Sequence, residues 1–380
     1  MHTYVHESVD VVKASGYPAA VAQRPGTEDT QPRGDEAGAA RGSSGRASRR
    51  ITSRDIAREA GVSQPTVSRA LRGDPRVAPA TAALVQATAR RLGYVPDAAA
   101  QTLITRRTGT VAIVVADITN PFYPELVEAL HDDLGRAGYR TVLLNERTDA
   151  RGVDTLMRAG VVDGAIVATA TLDDRTRTLL RDERAPIVQL VREVEGVDRD
   201  AVVSDNPGGA ALAAELLVRL GHTRIGQISG PPDTSTARDR DHGFATALQR
   251  LALPRDPALR RAGEYAHRTG YQWCLELLDL PEPPTAIFCG NDVIALGALD
   301  AARRRDLSVP EQLSIVGFDD ISLAGWESFR LTTVRQPLAQ MAHAAVQALV
   351  RRIDGDDGEP RRTVFPTELI QRSTTGPPPR

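Results

Sequence analysis

At 380 residues the chain exceeds what one packed core accommodates, so two or three domains are expected. It is 41% hydrophobic and 25% charged but only 4% aromatic, the balance of a soluble globular protein whose cores are filled by aliphatic side chains; no apolar run approaches the ~20 residues that span a bilayer, which excludes a transmembrane helix. The net charge of −2 conceals a division, because residues 41–110 hold thirteen Arg, no Lys and four acidic residues: a local +9 leaves −11 for the rest, and suits one end of the chain to a polyanion.

Residues 1–50 are rich in Gly, Pro, Ser and charge and lack a sustained apolar period, so a disordered extension is expected there. The first residues lack the basic, apolar and small-residue succession of a secretory signal, and a cytoplasmic location follows as the expectation. Order begins at Thr52, where Thr52 and Asp55 have the spacing of a capping box. A first helix runs to about Ala60 and stops at Gly61; Ser63 caps a second, with Pro65 in its first turn; a third spans about Pro79 to Leu92 and places Leu84, Val85, Thr88 and Leu92 on one face. Ala78 stands at the start of the third helix, where a capping side chain is missing. Three short helices close one small core, and the sharp turn at Gly61-Val62-Ser63 holds the second across the first. If Val67, Ala70 and Leu71 face that core, Gln64, Pro65 and Arg69 face outward. The segment DAAAQTLITRR follows, too short and Ala-rich to hold a helix by itself.

From Thr110 onward, apolar strand candidates alternate with helices: TVAIVVAD, RTVLLN, DGAIVATA, APIVQLV, AVVSDN, TRIGQISG, TAIFCG and LSIVGFDD. Strands apolar on both faces, separated by helical stretches, predict parallel sheets covered by helices, and about 270 residues suffice for two such layers. Cys274 and Cys289 sit in apolar segments and are expected as small buried hydrophobes, without a disulfide. No GxSxG, HExxH, P-loop or post-strand GxGxxG occurs and the seven His have no metal spacing, so neither an enzyme nor a metal or organic cofactor is expected.

In order, DIAREAGVSQPTVSRALRG, LGYVPDAAAQTL, DITNPFYPEL, GHTRIGQISGPP, GNDVIALGAL, LSIVGFDDISLA and LTTVRQPL resemble the LacI/GalR transcriptional regulators over residues 51 to about 375. The resemblance implies an N-terminal three-helix helix-turn-helix domain (51–95), a hinge helix and linker (96–108), and a two-lobed core like the periplasmic binding proteins, built from two parallel-sheet Rossmann-like subdomains. The first lobe would comprise 109–204 plus 320–335 and the second 205–319 plus 336–375, with crossovers near 204–207, 318–322 and 336–337. Departures from the family pattern are Ala78 at the third helix, a short segment between Asn145 and Val162, and Phe329-Arg330 in place of a Pro pair.

By the same resemblance Gln64, Pro65 and Arg69 read bases. Arg can bond guanine O6 and N7, Gln can pair with adenine, and Pro offers apolar contact; Thr52, Ser63, Thr66 and Ser68 suit phosphates. Leu103 would wedge into the minor groove, with Ala99 and Ala100 letting two hinge helices approach. Phe122 and Tyr123 follow the carboxyl end of a strand, where open α/β sheets bind ligands, although helix-start core residues would look the same. Arg240 and Asp292 match the family's effector-binding pair; without the match, a solvated Arg and an Asp helix cap are the simpler readings. The implied protein is a cytoplasmic repressor, a homodimer or larger tetramer, that binds a palindromic operator and responds to a sugar or sugar-phosphate effector. A corepressor-dependent or activating regulator, or a ligand-binding module without regulation of its own, remains the alternative.

Overall fold

The computed structural model describes residues 51–94, 107–146, 155–156, 158–169, 178, 180–181 and 185–379. The extension expected over 1–50, and most of the hinge with Ala99 and Leu103, lie outside these residues.

The first unit contains α1 (Ser53–Ala60), α2 (Gln64–Leu71) and α3 (Pro79–Arg91). The Asp55 carboxylate accepts the Thr52 backbone N–H at 3.0 Å and the Thr52 hydroxyl at 2.7 Å, which closes the start of α1. Gly61 ends α1 at φ 65°, a left-handed conformation that glycine adopts without the Cβ penalty. Ser63 Oγ accepts the Thr66 N–H at 3.3 Å and caps α2, whereas Ala78 leaves α3 without a side-chain cap. Ile56, Val67, Ala70, Val85 and Ala89 form the small core. One expectation fails here: Leu84 is 50% exposed, because the buried stripe of α3 runs through Val85, Thr88 and Ala89.

The second unit carries two parallel sheets. The strands are β1 (Thr110–Val115), β2 (Arg140–Asn145), β3 (Gly164–Val167), β4 (Ile187–Leu190), β5 (Asp200–Ser204), β6 (Ile225–Ser229), β7 (Arg260–Ala262), β8 (Ala286–Cys289), β9 (Ser314–Val316), β10 (Thr333–Arg335), β11 (Arg362–Phe365) and β12 (Glu368–Ile370). The first lobe is a six-stranded parallel sheet in the order β11-β5-β4-β3-β1-β2. The second is a four-stranded parallel sheet, β7-β6-β8-β9, beside an antiparallel β10-β12 pair. Helix α4 (Phe122–Arg136) belongs to the first lobe, and α5 (Asn206–Arg219), α6 (Ser235–Arg250), α7 (His267–Leu278) and α8 (Asp292–Arg304) to the second.

The lobe boundaries differ from the expected ones. Residues 332–335 bridge to Val316 and Asp319 and so belong to the second lobe. Helix α9 (Leu338–Ile353) buries Met341, Ala342, Ala345, Val346 and Leu349 and packs on α4, β3, β4 and β5, while β11 pairs with β5. The chain therefore changes lobes between β5 and α5, between β10 and α9, and between β11 and β12. The expected crossover at 318–322 does not occur, because the strands on both sides of it stay with the second lobe. Cys274 and Cys289 are buried free thiols, as their apolar surroundings suggested.

Candidate functional site

On α2 the apolar side chains Val67 and Ala70 are buried, which turns Gln64, Pro65 and Arg69 to solvent. Gln64 Nε2 donates to Ser53 Oγ at 3.1 Å, a bond that orients the side chain from the first helix. Thr52, Ser63 and Thr66 already serve the helix starts: Ser63 Oγ and Thr66 Oγ1 are 2.8 Å apart. Ser68 is half-buried, and its carbonyl accepts from Arg72 Nε at 3.1 Å. Among the described residues Arg54, Arg69 and Arg72 have no carboxylate within 4.0 Å, whereas Arg58, Arg76 and Arg91 pair with Asp55, Asp74 and Glu59. Guanidinium groups without a carboxylate in contact, Arg54 on α1 and Arg69 and Arg72 on and just after α2, give this side of the unit a positive field.

The second constellation lies between the lobes. A cleft with about 290 Å³ of open volume is lined from the first lobe by Asn120, Phe122, Tyr123, Val191 and Arg192. Phe122 and Tyr123 are buried at the start of α4, edge to face at 5.4 Å between centroids. Asn120 Oδ1 accepts the Phe122 N–H at 3.1 Å and fixes that start, while its Nδ2 donates across the cleft to the Tyr265 carbonyl at 3.4 Å.

From the second lobe come Thr236, Arg240, Tyr265, Asn291 and Asp319, with Gln336 at the crossover. Arg240 is buried and nearly saturated: Nε donates to Asn206 Oδ1 at 2.8 Å, Nη1 to the Gly290 carbonyl at 2.7 Å, and Nη2 lies 3.2 Å from Asp319 Oδ1. Its guanidinium stacks 3.7 Å above the Phe318 ring. Gln336 Nε2 donates to Asp319 Oδ1 at 2.8 Å and its Oε1 accepts the Ser204 hydroxyl at 2.6 Å, which links both lobes to this carboxylate. Burial raises the pKa of Asp319 in spite of Arg240, so its charge depends on these donors.

Asp292 does not line this cleft. It is fully buried, its carboxylate accepts the Thr333 hydroxyl and the Ile321 N–H at 2.9 Å, and its pKa is raised by burial and then by the charge of Asp319. It ties β10 and the segment after β9 to the start of α8. The neighbouring Asn291 caps that helix and faces the cleft in its place. Of the four expected effector residues, Phe122, Tyr123 and Arg240 line this cleft, and Asp292 stands behind its neighbour Asn291, bonded to Thr333 and Ile321. Sequence reading passed over Asn120, Arg192, Thr236, Tyr265, Asn291, Asp319 and Gln336. Asn291, Asp319 and Gln336 stand within the quoted motifs GND, FDD and VRQP, one position or strand away from residues already noted; Arg192 had no such signal. Among the described residues no group of three potential metal ligands occurs, and no helix is long and apolar enough to cross a membrane.

Residues 52–97 match the bacterial regulatory proteins of the lacI family, and residues 214–375 match the periplasmic binding protein-like domain. The ribose operon repressor of Escherichia coli K12 is 32% identical over 327 residues, 85% of this chain and 99% of that protein. The HTH-type transcriptional regulator CelR of Thermobifida fusca is 34% identical over 339 residues, 86% of this chain and 98% of that protein. Among solved structures, the lac repressor dimer bound to operator and the anti-inducer ONPF aligns with a TM-score of 0.77 at 26% identity, covering 86% of this chain and all of that one (100%). A LacI family regulator from Enterococcus faecium with bound ribose aligns at 0.64 and 30% identity, covering 70% and 99%. With a DNA-reading helical unit, a two-lobed core and relatives matched nearly end to end, this DNA-binding regulator of transcription belongs to the lacI family.

Proposed function

We propose that the protein is a cytoplasmic, homodimeric repressor that binds a palindromic operator through Gln64, Pro65 and Arg69 and releases it when a sugar-like effector enters the cleft. The single observation that carries the effector half is the Asp319 junction. One carboxylate, held by Arg240 and by Gln336, stands where both lobes meet, beside Asn291 and opposite Phe122 and Tyr123. An acidic oxygen beside amide and guanidinium donors suits sugar hydroxyls, and the aromatic wall suits the apolar face of a ring. Hydroxyl bonds made to both lobes would tie them into one arrangement, and coupling to the operator is then reciprocal.

A thermal-shift screen of monosaccharides on the full-length protein identifies the effector; a ligand at 100 times its dissociation constant adds about 2.7 kcal/mol. Asp319→Asn should then bind it roughly ten- to a hundredfold more weakly by calorimetry and hold operator at effector levels that free the wild type. Equal affinity in both proteins would remove Asp319 from the site.

A further inference from the structure

The hydroxyl of Ser53 is not needed by the helix that carries it. Thr52 and Asp55 close the start of α1 between them, and the Ser53 side chain takes no part in that closure. Among the described residues its one hydrogen bond is with Gln64 Nε2, at 3.1 Å, from a residue eleven positions along the chain and on the other helix. The start of α2 is likewise complete without the Gln64 side chain, since Ser63 Oγ accepts the Thr66 N–H. The bond therefore joins two side chains that neither helix requires for its own start, and one of them is a base-reading candidate.

Packing fixes where the tether stands. Ile56 and Ala60 of α1 bury against Val67 and Ala70 of α2 in one small core, which holds the first helix at a set place beside the second. Gln64 is exposed, and a free glutamine is among the side chains that lose most rotamer freedom on being ordered. Holding one of its N–H groups from α1 orders it before DNA arrives, so less freedom is lost on binding. The tether also selects which edge of the carboxamide faces outward. Turned over, with its oxygen toward Ser53, the amide would present two N–H groups, a pattern for the two acceptors of guanine. Held by its nitrogen, it presents Oε1, which makes no hydrogen bond among the described residues, together with the remaining N–H. An acceptor beside a donor is the complement of adenine, whose N6 donates and whose N7 accepts.

We propose that Ser53 is a specificity-determining residue of the helical unit, which positions Gln64 so that its amide reads adenine in each half-site. This rests on the reading of α2 as the base-contacting helix given above. Ser53 acts through Gln64 and touches no base itself. Its place in the sequence gives no hint of this, because a serine after a capping threonine looks like one more polar residue at a helix start.

The test uses full-length wild type, Ser53→Ala, Ser53→Thr, Gln64→Ala and the Ser53→Ala/Gln64→Ala double variant. Duplexes are selected from a random pool with wild type, and fluorescence anisotropy then measures each protein on the selected duplex and on its single-base changes. Wild type should prefer adenine by on the order of tenfold at one position of each half-site, the position that Gln64→Ala relaxes. Ser53→Ala should melt with wild type and lose most of that preference at the same position, while the position relaxed by Arg69→Ala keeps its own. Ser53→Thr keeps the hydroxyl and should restore the preference, and the double variant should match Gln64→Ala alone. An unchanged preference in Ser53→Ala overturns the proposal, whatever that variant's melting temperature. A loss in Ser53→Ala that is equal on every sequence, or that adds to the loss in Gln64→Ala, also overturns it by making Ser53 a direct DNA contact. A preference for guanine at the Gln64 position overturns the adenine edge. Gln64→Ala relaxing no position removes the base-reading role of Gln64 itself, a failure of the underlying reading that the Ser53 variants alone cannot produce.

Discussion

The carboxyl of Asp292 is enclosed by its own protein, with Thr333 and Ile321 as donors and two further acidic residues, Asp319 and Asp320, raising its pKa along with burial. A carboxyl whose folded pKa lies above its unfolded value binds its proton more tightly when folded. Its contribution to stability is full below the ordinary value of 3.8 and is lost as pH rises through the raised folded value. Asp292→Asn keeps an acceptor oxygen toward Ile321, turns an amide N–H toward the Thr333 oxygen and has no carboxyl to ionise, so its unfolding free energy should fall less than that of wild type as pH rises from 4 toward neutrality. Parallel profiles in chemical denaturation would contradict this. The sequence showed an Asp after a strand in a motif of binding residues, but no sequence pattern reveals which of two adjacent side chains, Asn291 or Asp292, turns inward. On α2 the same question was legible, because Val67 and Ala70 define the buried face and leave Arg69 outside. Arg69→Ala should lose roughly 1 to 3 kcal/mol on the preferred site and relax one base position in each half-site; a uniform loss on all sequences, measured by fluorescence anisotropy, would make it a phosphate contact.

At the scale of elements, caps and close packing give the clearest expectations. Ala78 begins α3 with φ −55° and ψ 137°, a backbone that accepts a capping serine, so Ala78→Ser should stabilise the helical unit by about 1 kcal/mol in thermal unfolding. Helices α7 and α8 meet through glycines: a Cβ on Gly270 would stand 1.8 Å from the Ile294 carbonyl oxygen, and one on Gly297 2.0 Å from that of His267. Gly270→Ala and Gly297→Ala should each cost on the order of 1 to 3 kcal/mol by forcing the helices apart, and an unchanged melting temperature would show that the pair yields freely. All eight strand candidates in the sequence are strands; seven are apolar runs buried on both faces, whereas β2 lies at the sheet edge with only Leu144 buried. Strands β7, β10, β11 and β12 were not among them. They are three or four residues long, and β7 and β11 begin Arg-Arg and Arg-Thr at sheet edges, where polar side chains erase the apolar signal.

For the whole molecule, the ordered motifs foretold the class of fold, while the lobe membership of 320–365 was misread, since membership depends on which sheet a short strand joins. Arg352 illustrates the point: it pairs with Asp200 at 2.6 Å, a contact between residues 152 positions apart that holds the returning helix α9 on the first sheet. Replacing Arg352 with Met should leave Asp200 buried without its cation and destabilise the fold by roughly 3 to 5 kcal/mol, as read by denaturant unfolding; a loss below about 1 kcal/mol would mean that the pair does not anchor the helix. The central claim, that the helical unit reads DNA sequence as one half of a symmetric dimer, is tested most directly by selecting duplexes from a random pool with the full-length wild type and with Arg69→Ala. The predicted result is a two-fold symmetric consensus from wild type, with one position in each half-site relaxed for Arg69→Ala. Enrichment without symmetry, or the same consensus from both proteins, would contradict it.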